Sequence, residues 1–215
     1  MRILEHRFAG ERVSQFQIST RPETAPPAIA HSVKSRLQHI VRAQLPKAFR
    51  RNYAIRSVGS ANSEAIGGYI RKQPQRHVMS DERVQRRFER LQICGDRQLL
   101  VRPRTSGHAQ FCYNLHLVLV SHARDVEVRF EIREKRRAMI LAAAEKKGHL
   151  VGSGHLLSDH MHLALGCNLN ETPREVALSY LNNLAFAEGM RITHEFGFYV
   201  GSFGEYDLGA VWQAP

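Results

Sequence analysis

Residues 108–187 run strand, helix, strand, helix, and that order restricts most what the chain can become. Tyr113-Asn-Leu-His-Leu-Val-Leu-Val120 is a dense run of apolar, β-forming residues and reads as a strand. The charged stretch from Glu131 to Lys147 reads as a helix stopped by Gly148. A second strand then leads into Ser158-Asp159-His160-Met161-His162-Leu163-Ala164-Leu165. Asn170-Glu171-Thr172-Pro173 introduces another helix, from Arg174 to Ala187. Alternating strands and helices predict an α/β (α+β) sandwich, with helices packed on a central sheet.

Within that frame the pair His160 and His162 stands out. Side chains alternate along a strand, so the two imidazoles share a face while Met161 points the other way. Two adjacent imidazoles make a bidentate site for a divalent metal. The spacing alone equally describes two histidines lodged in ordinary protein surroundings.

The first half has a different character. Residues 1–20 read as a short strand or two, and Pro26 and Pro27 open a helix that continues from Ala28 to Gln44. Ile29, Val33, Leu37 and Val41 fall on one face of it, and Pro46 ends it. Tyr53 to Val58 is a predicted strand, followed by the turn Gly59-Ser-Ala-Asn-Ser63 with capping oxygens. A helix over 64–73, Glu64-Ala-Ile-Gly-Gly-Tyr69-Ile-Arg-Lys-Gln73, then meets Pro74. One more helix is predicted from Asp81 to Leu91, and residues 102–107 read as a linker. The chain closes on Phe198-Tyr-Val-Gly-Ser-Phe-Gly204 and the residues beyond it.

Charge separates the halves more sharply than pattern does. Residues 1–107 hold 21 of the 31 Lys and Arg but only 8 of the 20 Asp and Glu, so the whole net charge of +11 lies there. Such a lobe suits a polyanion, with nucleic acid the commonest partner. The three cysteines, Cys94, Cys112 and Cys167, form no CxxC pair, which argues against a disulfide framework and fits a reducing, cytoplasmic setting. No apolar run reaches membrane-span length and no signal-peptide pattern opens the chain, so no membrane association is expected.

An internal repeat is also visible. Tyr53-Ala-Ile-Arg-Ser-Val-Gly59 and Phe198-Tyr-Val-Gly-Ser-Phe-Gly204 match at an offset of 145 residues. An offset of 147 aligns Pro26 with Pro173, and sets Val13 and Gln15 opposite His160 and His162. Residues 1–105 thus read as a partial, degenerate first copy and residues 108–215 as a second. The first copy lacks counterparts of the strand and helix at 113–147. The second offers no Tyr-x-x-x-Gln after Gly204.

Asp159-His160-Met161-His162 resembles the His-hydrophobic-His motif of the HUH endonucleases. Ser57-Val58-Gly59 followed by Tyr69-Ile-Arg-Lys-Gln73 is similar to the catalytic-tyrosine helix of the single-tyrosine HUH transposases of small insertion sequences, including the repeat-associated tyrosine transposases of bacteria. Residues 113–120 match that family's first strand. The resemblance implies a ferredoxin-like fold that cuts and rejoins single-stranded or hairpin DNA in the bacterial cytoplasm. It makes Tyr69 the nucleophile, and His160, His162 and Gln73 the ligands of a divalent metal, Mg²⁺ or Mn²⁺. Family members can share a site between subunits, so a pseudo-dimer within the chain could set Tyr69 of one copy beside the histidines of the other; a homodimer is a further option.

The residue types agree with that chemistry. Tyr69 and Gln73 lie four apart, on one helix face. A tyrosine hydroxyl can attack a phosphodiester and keep the bond energy as phosphotyrosine. Lys34, Arg36, Arg42, Lys47, Arg50, Arg51, Arg71 and Lys72 are candidate DNA contacts. Gly67 and Gly68 weaken the tyrosine helix by roughly 1 kcal/mol each relative to alanine. A catalytically inactive DNA-binding protein derived from such a transposase is the alternative. A metal hydrolase using the histidines with Asp159 or Asp125 is a more distant one.

Overall fold

The computed structural model describes residues 1–9, 13–79 and 81–205. The first half runs β1 (Arg2–Ala9), β2 (Val13–Ser19), α1 (Pro26–Val41), β3 (Tyr53–Arg56), α2 (Ser63–Arg71), α3 (Gln73–Arg76), α4 (Glu82–Arg90), β4 (Ile93–Cys94) and α5 (Gln98–Val101). The hairpin strands β5 (Arg104–Ser106) and β6 (Ala109–Cys112) follow. The second half runs β7 (Asn114–Ser121), α6 (Phe130–Lys147), β8 (Leu150–Leu156), β9 (His160–Gly166), α7 (Pro173–Ala187) and β10 (His194–Phe203). The residues from Tyr206 onward, where the second copy was expected to lack a tyrosine helix, lie outside the described residues.

Alternation in β7 and β9 builds the main sheet. Leu115, Leu117 and Leu119 point to one side with Met161, Leu163 and Leu165, and all six are buried. Ile140, Ala143 and Ala144 of α6 and Val176, Ala177, Tyr180 and Leu184 of α7 close over them as the core. The strands order as β10-β7-β9-β8, each pair antiparallel, with β4 added at the β8 edge. This βαββαβ order is the ferredoxin-like arrangement expected of the α+β class. Because α6 and α7 cover one face, the other face is left for something else to cover.

The first half repeats the later order without repeating the sheet. Its β1-β2-α1-β3 matches β8-β9-α7-β10, and β2 and α1 begin 147 residues before β9 and α7. In the second half β7 is the bridge, pairing with both β9 and β10. Among the described residues of 1–105 no strand takes that place. The hairpin β1-β2 therefore forms a two-stranded sheet of its own, and β3 pairs in parallel with β6. The expected linker at 102–107 is corrected by the same pairing: Arg104–Ser106 is a strand, zipped to β6.

The two matching Ser-x-Gly segments close on each other. Ser57 Oγ donates to the Phe203 carbonyl at 2.6 Å, and Ser202 Oγ donates to the Val58 carbonyl at 2.6 Å. The glycines are equally reciprocal: a Cβ on Gly59 would lie 2.1 Å from the Ser202 carbonyl oxygen, and one on Gly204 2.1 Å from that of Ser57. Residues at the 145 offset thus make the same contact in both directions, the pattern of a two-fold interface. The clasp sets the entry to α2. Asn62 caps that helix, its side chain accepting from Ala65 N at 2.8 Å.

From there α2 crosses the open sheet face. Ile66, Ile70 and Gln73 form the inward stripe, with Ile70 and Gln73 buried, and Ile70 packs with Leu100, Ala164 and Phe203. The expected single helix through Gln73 is corrected. α2 ends at Arg71, and a new helical turn starts at Gln73 with Pro74 in its first positions. Proline has no N–H to continue the earlier ladder but fits a first turn. Among the described residues no helix is long and apolar enough to cross a membrane.

Backbone oxygens cannot step aside as a flexible side chain can. Gly59→Ala is therefore expected to cost about 1–3 kcal/mol, the range for overpacking, and Ser202→Ala about 1 kcal/mol for one neutral hydrogen bond. Urea unfolding checks both. A Gly59→Ala protein as stable as the parent would mean that the two segments do not close on one another.

Candidate active site

Strand register decides which histidines meet. His162 lies opposite His155 of β8 and Val118 of β7, and His116 stands two residues before Val118. With the leucines turned toward α6 and α7, His116, His155, His160 and His162 all belong to the face that α2 crosses. Each comes from a strand whose other side is apolar core, so their backbones are held firmly.

The contacts are specific. His116 Nε2 lies 3.1 Å from His162 Nδ1, with the rings stacked at 19°. A proton shared there from His162 Nδ1 leaves His162 Nε2 with a free lone pair, and that buried Nε2 has no hydrogen-bond partner. His160 Nδ1 meets Asp159 Oδ1 at 2.7 Å, while Arg124 Nη1 donates to Asp159 Oδ2 at 3.1 Å, so His160 Nε2 is its open nitrogen. The His160 and His162 rings are 5.0 Å apart, and His77, just past α3, stands 5.0 Å from His160.

Tyr69 meets this row from the other half of the chain. Its ring lies edge-on to His162 at 5.4 Å and to His116 at 6.1 Å, with the Arg76 guanidinium 5.4 Å from the ring centroid. The residue is 39% exposed, so its hydroxyl-bearing ring is accessible at the rim. Gln73 is buried, and its Nε2 has no partner. The structure thus brings together Tyr69, His160 and His162, which the sequence separates by some ninety residues.

Burial governs the electrostatics. It holds His162 down to about 3, helped by its neighbours His160, His116, His77 and His155. His116 is lowered to about 4 by burial alone. His155 is lowered to about 4 by burial, with Arg133 and His160 adding to it. Neutral rings with open lone pairs are the form that binds metals. Among the described residues no three His, Cys, Asp or Glu side chains converge on one metal position. His160 and His162 offer two imidazoles, and the orphaned His162 Nε2 fits a cation there. Asp125 is exposed on the loop before α6, and Asp159 is engaged by His160 and Arg124.

The basic candidates divide. Arg36, Arg42, Lys47, Arg50, Arg51, Arg71 and Lys72 are exposed. Lys34 is tied to the segment after α1. Its Nζ donates to the carbonyls of Arg50, Arg51 and Asn52 at 2.7, 2.9 and 2.7 Å, which occupies all three of its protons. The sequence reading missed His116 and His155. A signal was present in each case, a histidine on the polar side of a strand whose alternate residues are leucine or another apolar residue.

No protein-family model matches the chain, and no curated protein does. Among solved structures, a REP-associated tyrosine transposase bound to a REP hairpin is 10% identical, with a TM-score of 0.38 over 44% of this chain and 58% of that one. A provisionally assigned transposase of Deinococcus radiodurans R1 is 15% identical, with a TM-score of 0.41 over 51% of this chain and 92% of that one. The chain spans little more than half the length of the first. A likeness of this size carries no functional argument, and only the site's own residues do.

Four buried histidines, His116, His155, His162 and His194, are held below the ordinary value, at about 4, 4, 3 and 4. Unfolding releases them to titrate near 6.5, so between about pH 4 and 6.5 the unfolded chain binds more protons. The stability they contribute is complete above pH 6.5 and is lost as pH falls through that window. Urea unfolding at pH 7, 6 and 5 is expected to fall by more than about 1.4 kcal/mol per pH unit, the limit for a single proton. A flat profile would contradict the buried, neutral assignment.

Proposed function

We propose that the chain is a single-stranded DNA nuclease and strand transferase of the transposase kind, with Tyr69 as its nucleophile. The observation that carries this reading is the edge-on contact of Tyr69 with His162 at 5.4 Å, made between the two halves of the chain. On this reading residues 1–105 are a degenerate copy that supplies the tyrosine helix, and residues 108–215 are the copy that supplies the histidines. The repeated element order and the reciprocal Ser57/Ser202 clasp support it. The two together act as a pseudo-dimer within one chain.

The reaction asks little beyond positioning. Tyr69 Oη bonds to phosphorus, the bond to the leaving sugar oxygen breaks, and the phenolic proton ends on that oxygen. Bonds and charges balance, and the reverse reaction rejoins a strand. His160, His162 and Gln73 would hold Mg²⁺ or Mn²⁺, which supplies polarisation of the scissile phosphate and offsets its developing charge. His116 fixes the ring of His162 so that Nε2 keeps its lone pair for that role. Asp159 does the same for His160. Arg71, Lys72 and the exposed basic residues of the first half hold the DNA backbone electrostatically.

A second reading draws on the absence, among the described residues, of three converged His, Cys, Asp or Glu ligands. The chain then binds single-stranded or hairpin DNA without cutting it.

Covalent trapping tests the two. Protein is mixed with labelled hairpin DNA and Mn²⁺, and a denaturation-resistant adduct is sought on a gel. The expected outcome is an adduct that Tyr69→Phe abolishes. His116→Phe should retain the adduct but demand about ten- to hundredfold more Mn²⁺, the usual scale for losing a group behind a metal ligand. Retardation on a native gel with no adduct supports the second reading, and an adduct that survives in Tyr69→Phe removes the nucleophile assignment.

A further inference from the structure

A second tyrosine lies on the histidine face, and its placement explains an otherwise unneeded glycine. Tyr199 of β10 pairs with Val118, and Gly201 pairs with His116. All four residues share the face that bears His162. Tyr199 does not stand up from the sheet. Its ring leans along its own strand over Gly201, where an added Cβ would lie 2.4 Å from the Tyr199 hydroxyl oxygen and 2.9 Å from Cζ. Gly201 lies inside a regular strand, and its φ is not among the positive ones. The absent side chain is therefore what gives the ring its bed.

The ring meets His116 edge-on at 5.7 Å, so His116 stands between Tyr199 and Tyr69. The core takes almost no part in holding Tyr199: it lies on the edge strand of the sheet and is 58% exposed, although its one neighbouring strand, β7, is a core strand. α2 crosses β8 and β9 and meets β10 at Phe203, while Tyr199, four residues earlier on β10, stays exposed. An aromatic ring held against the sheet, open to solvent and next to a row of imidazoles, is the geometry of a stacking surface.

We propose that Tyr199, bedded on Gly201, is a platform on which a nucleobase of the bound single strand stacks, beside the phosphate presented to Tyr69. This rests on the nucleic-acid reading above and deepens it by placing a base on the β10 side of the site. Stacking on an aromatic ring tolerates any base, because each has a π face. The platform therefore contributes affinity and strand position, with sequence choice left to other contacts.

The test is equilibrium binding of a single-stranded oligonucleotide carrying 2-aminopurine, with chelator present and in the Tyr69→Phe background, so that no chemistry intervenes. Stacking on an aromatic ring quenches the fluorescent base. Tyr199→Ala should bind about tenfold more weakly and lose the quenching, a loss within the range for removing one stacked base. Tyr199→Phe should retain both, because the ring and not the hydroxyl is at work. Gly201→Ala meets only the far end of the tyrosine side chain, so it should fold normally yet reproduce most of the loss by lifting the ring.

Binding and quenching unchanged in Tyr199→Ala would overturn the platform while leaving the reading of Tyr69 intact. No binding of any single strand by the otherwise intact chain would overturn both. Should Tyr199→Phe, in the Tyr69-bearing protein, abolish the covalent adduct, Tyr199 would be a nucleophile and not a platform.

Discussion

The tyrosine helix stays on the sheet because Ile70, wholly buried, closes a small apolar cluster with Leu100, Ala164 and Phe203. Burying such a side chain is worth about 1.5–3 kcal/mol, against a net stability of about 5–15 kcal/mol for a typical protein. The cluster draws on α2, α5, β9 and β10, and so joins both halves of the chain. Tyr69 precedes Ile70 directly, and the two point in different directions around the helix. Fixing Ile70 inward therefore fixes Tyr69 at the rim, against His162. The chemistry proposed for the site depends on this packing more than on any polar contact.

A missing central strand accounts for much of the remaining architecture. In the second half β7 holds β9 and β10 together, and its leucines fill the core beneath α6 and α7. Among the described residues of 1–105 no strand takes that place, and the hairpin, helix and third strand do not join into one four-stranded sheet. Their segments attach to the complete module instead: β4 on the β8 edge, α2 and α5 over the histidine face, and β3 on the β5-β6 hairpin. The incomplete half thereby covers the face that α6 and α7 leave open. It also lowers the dielectric around the histidines, and that burial drives His162, His116 and His155 toward their neutral forms.

Local features were legible where local physics decides them. The leucine alternation of residues 113–120, the shared face of His160 and His162, the Asn62 cap and the prolines at the starts of α1 and α7 all follow from nearby residues. What escaped depends on distant pairing. The contact of His116 with His162 comes from a register between strands some forty residues apart, which no periodicity encodes. Residues 102–107 contain Pro, Ser and Gly and read as a linker, yet β6 turns Arg104–Ser106 into a strand. Lys34 has the composition of a DNA contact, but three carbonyls beyond α1 claim its ammonium group. Tyr69 and Gln73 have helical spacing, while Pro74 divides them between two helical segments.

Tyr69 and the histidine pair are proposed to form one site that holds a divalent cation between the two halves of the chain. Paramagnetic broadening by Mn²⁺ tests it without any reaction. Protein labelled in its tyrosine and histidine rings is titrated with substoichiometric Mn²⁺ and followed by NMR. Broadening should strike His160, His162 and Tyr69 together, while Tyr180, buried beneath the helix layer, keeps its signal. Broadening of the histidines with Tyr69 untouched, or broadening spread across unrelated rings, would contradict a shared site.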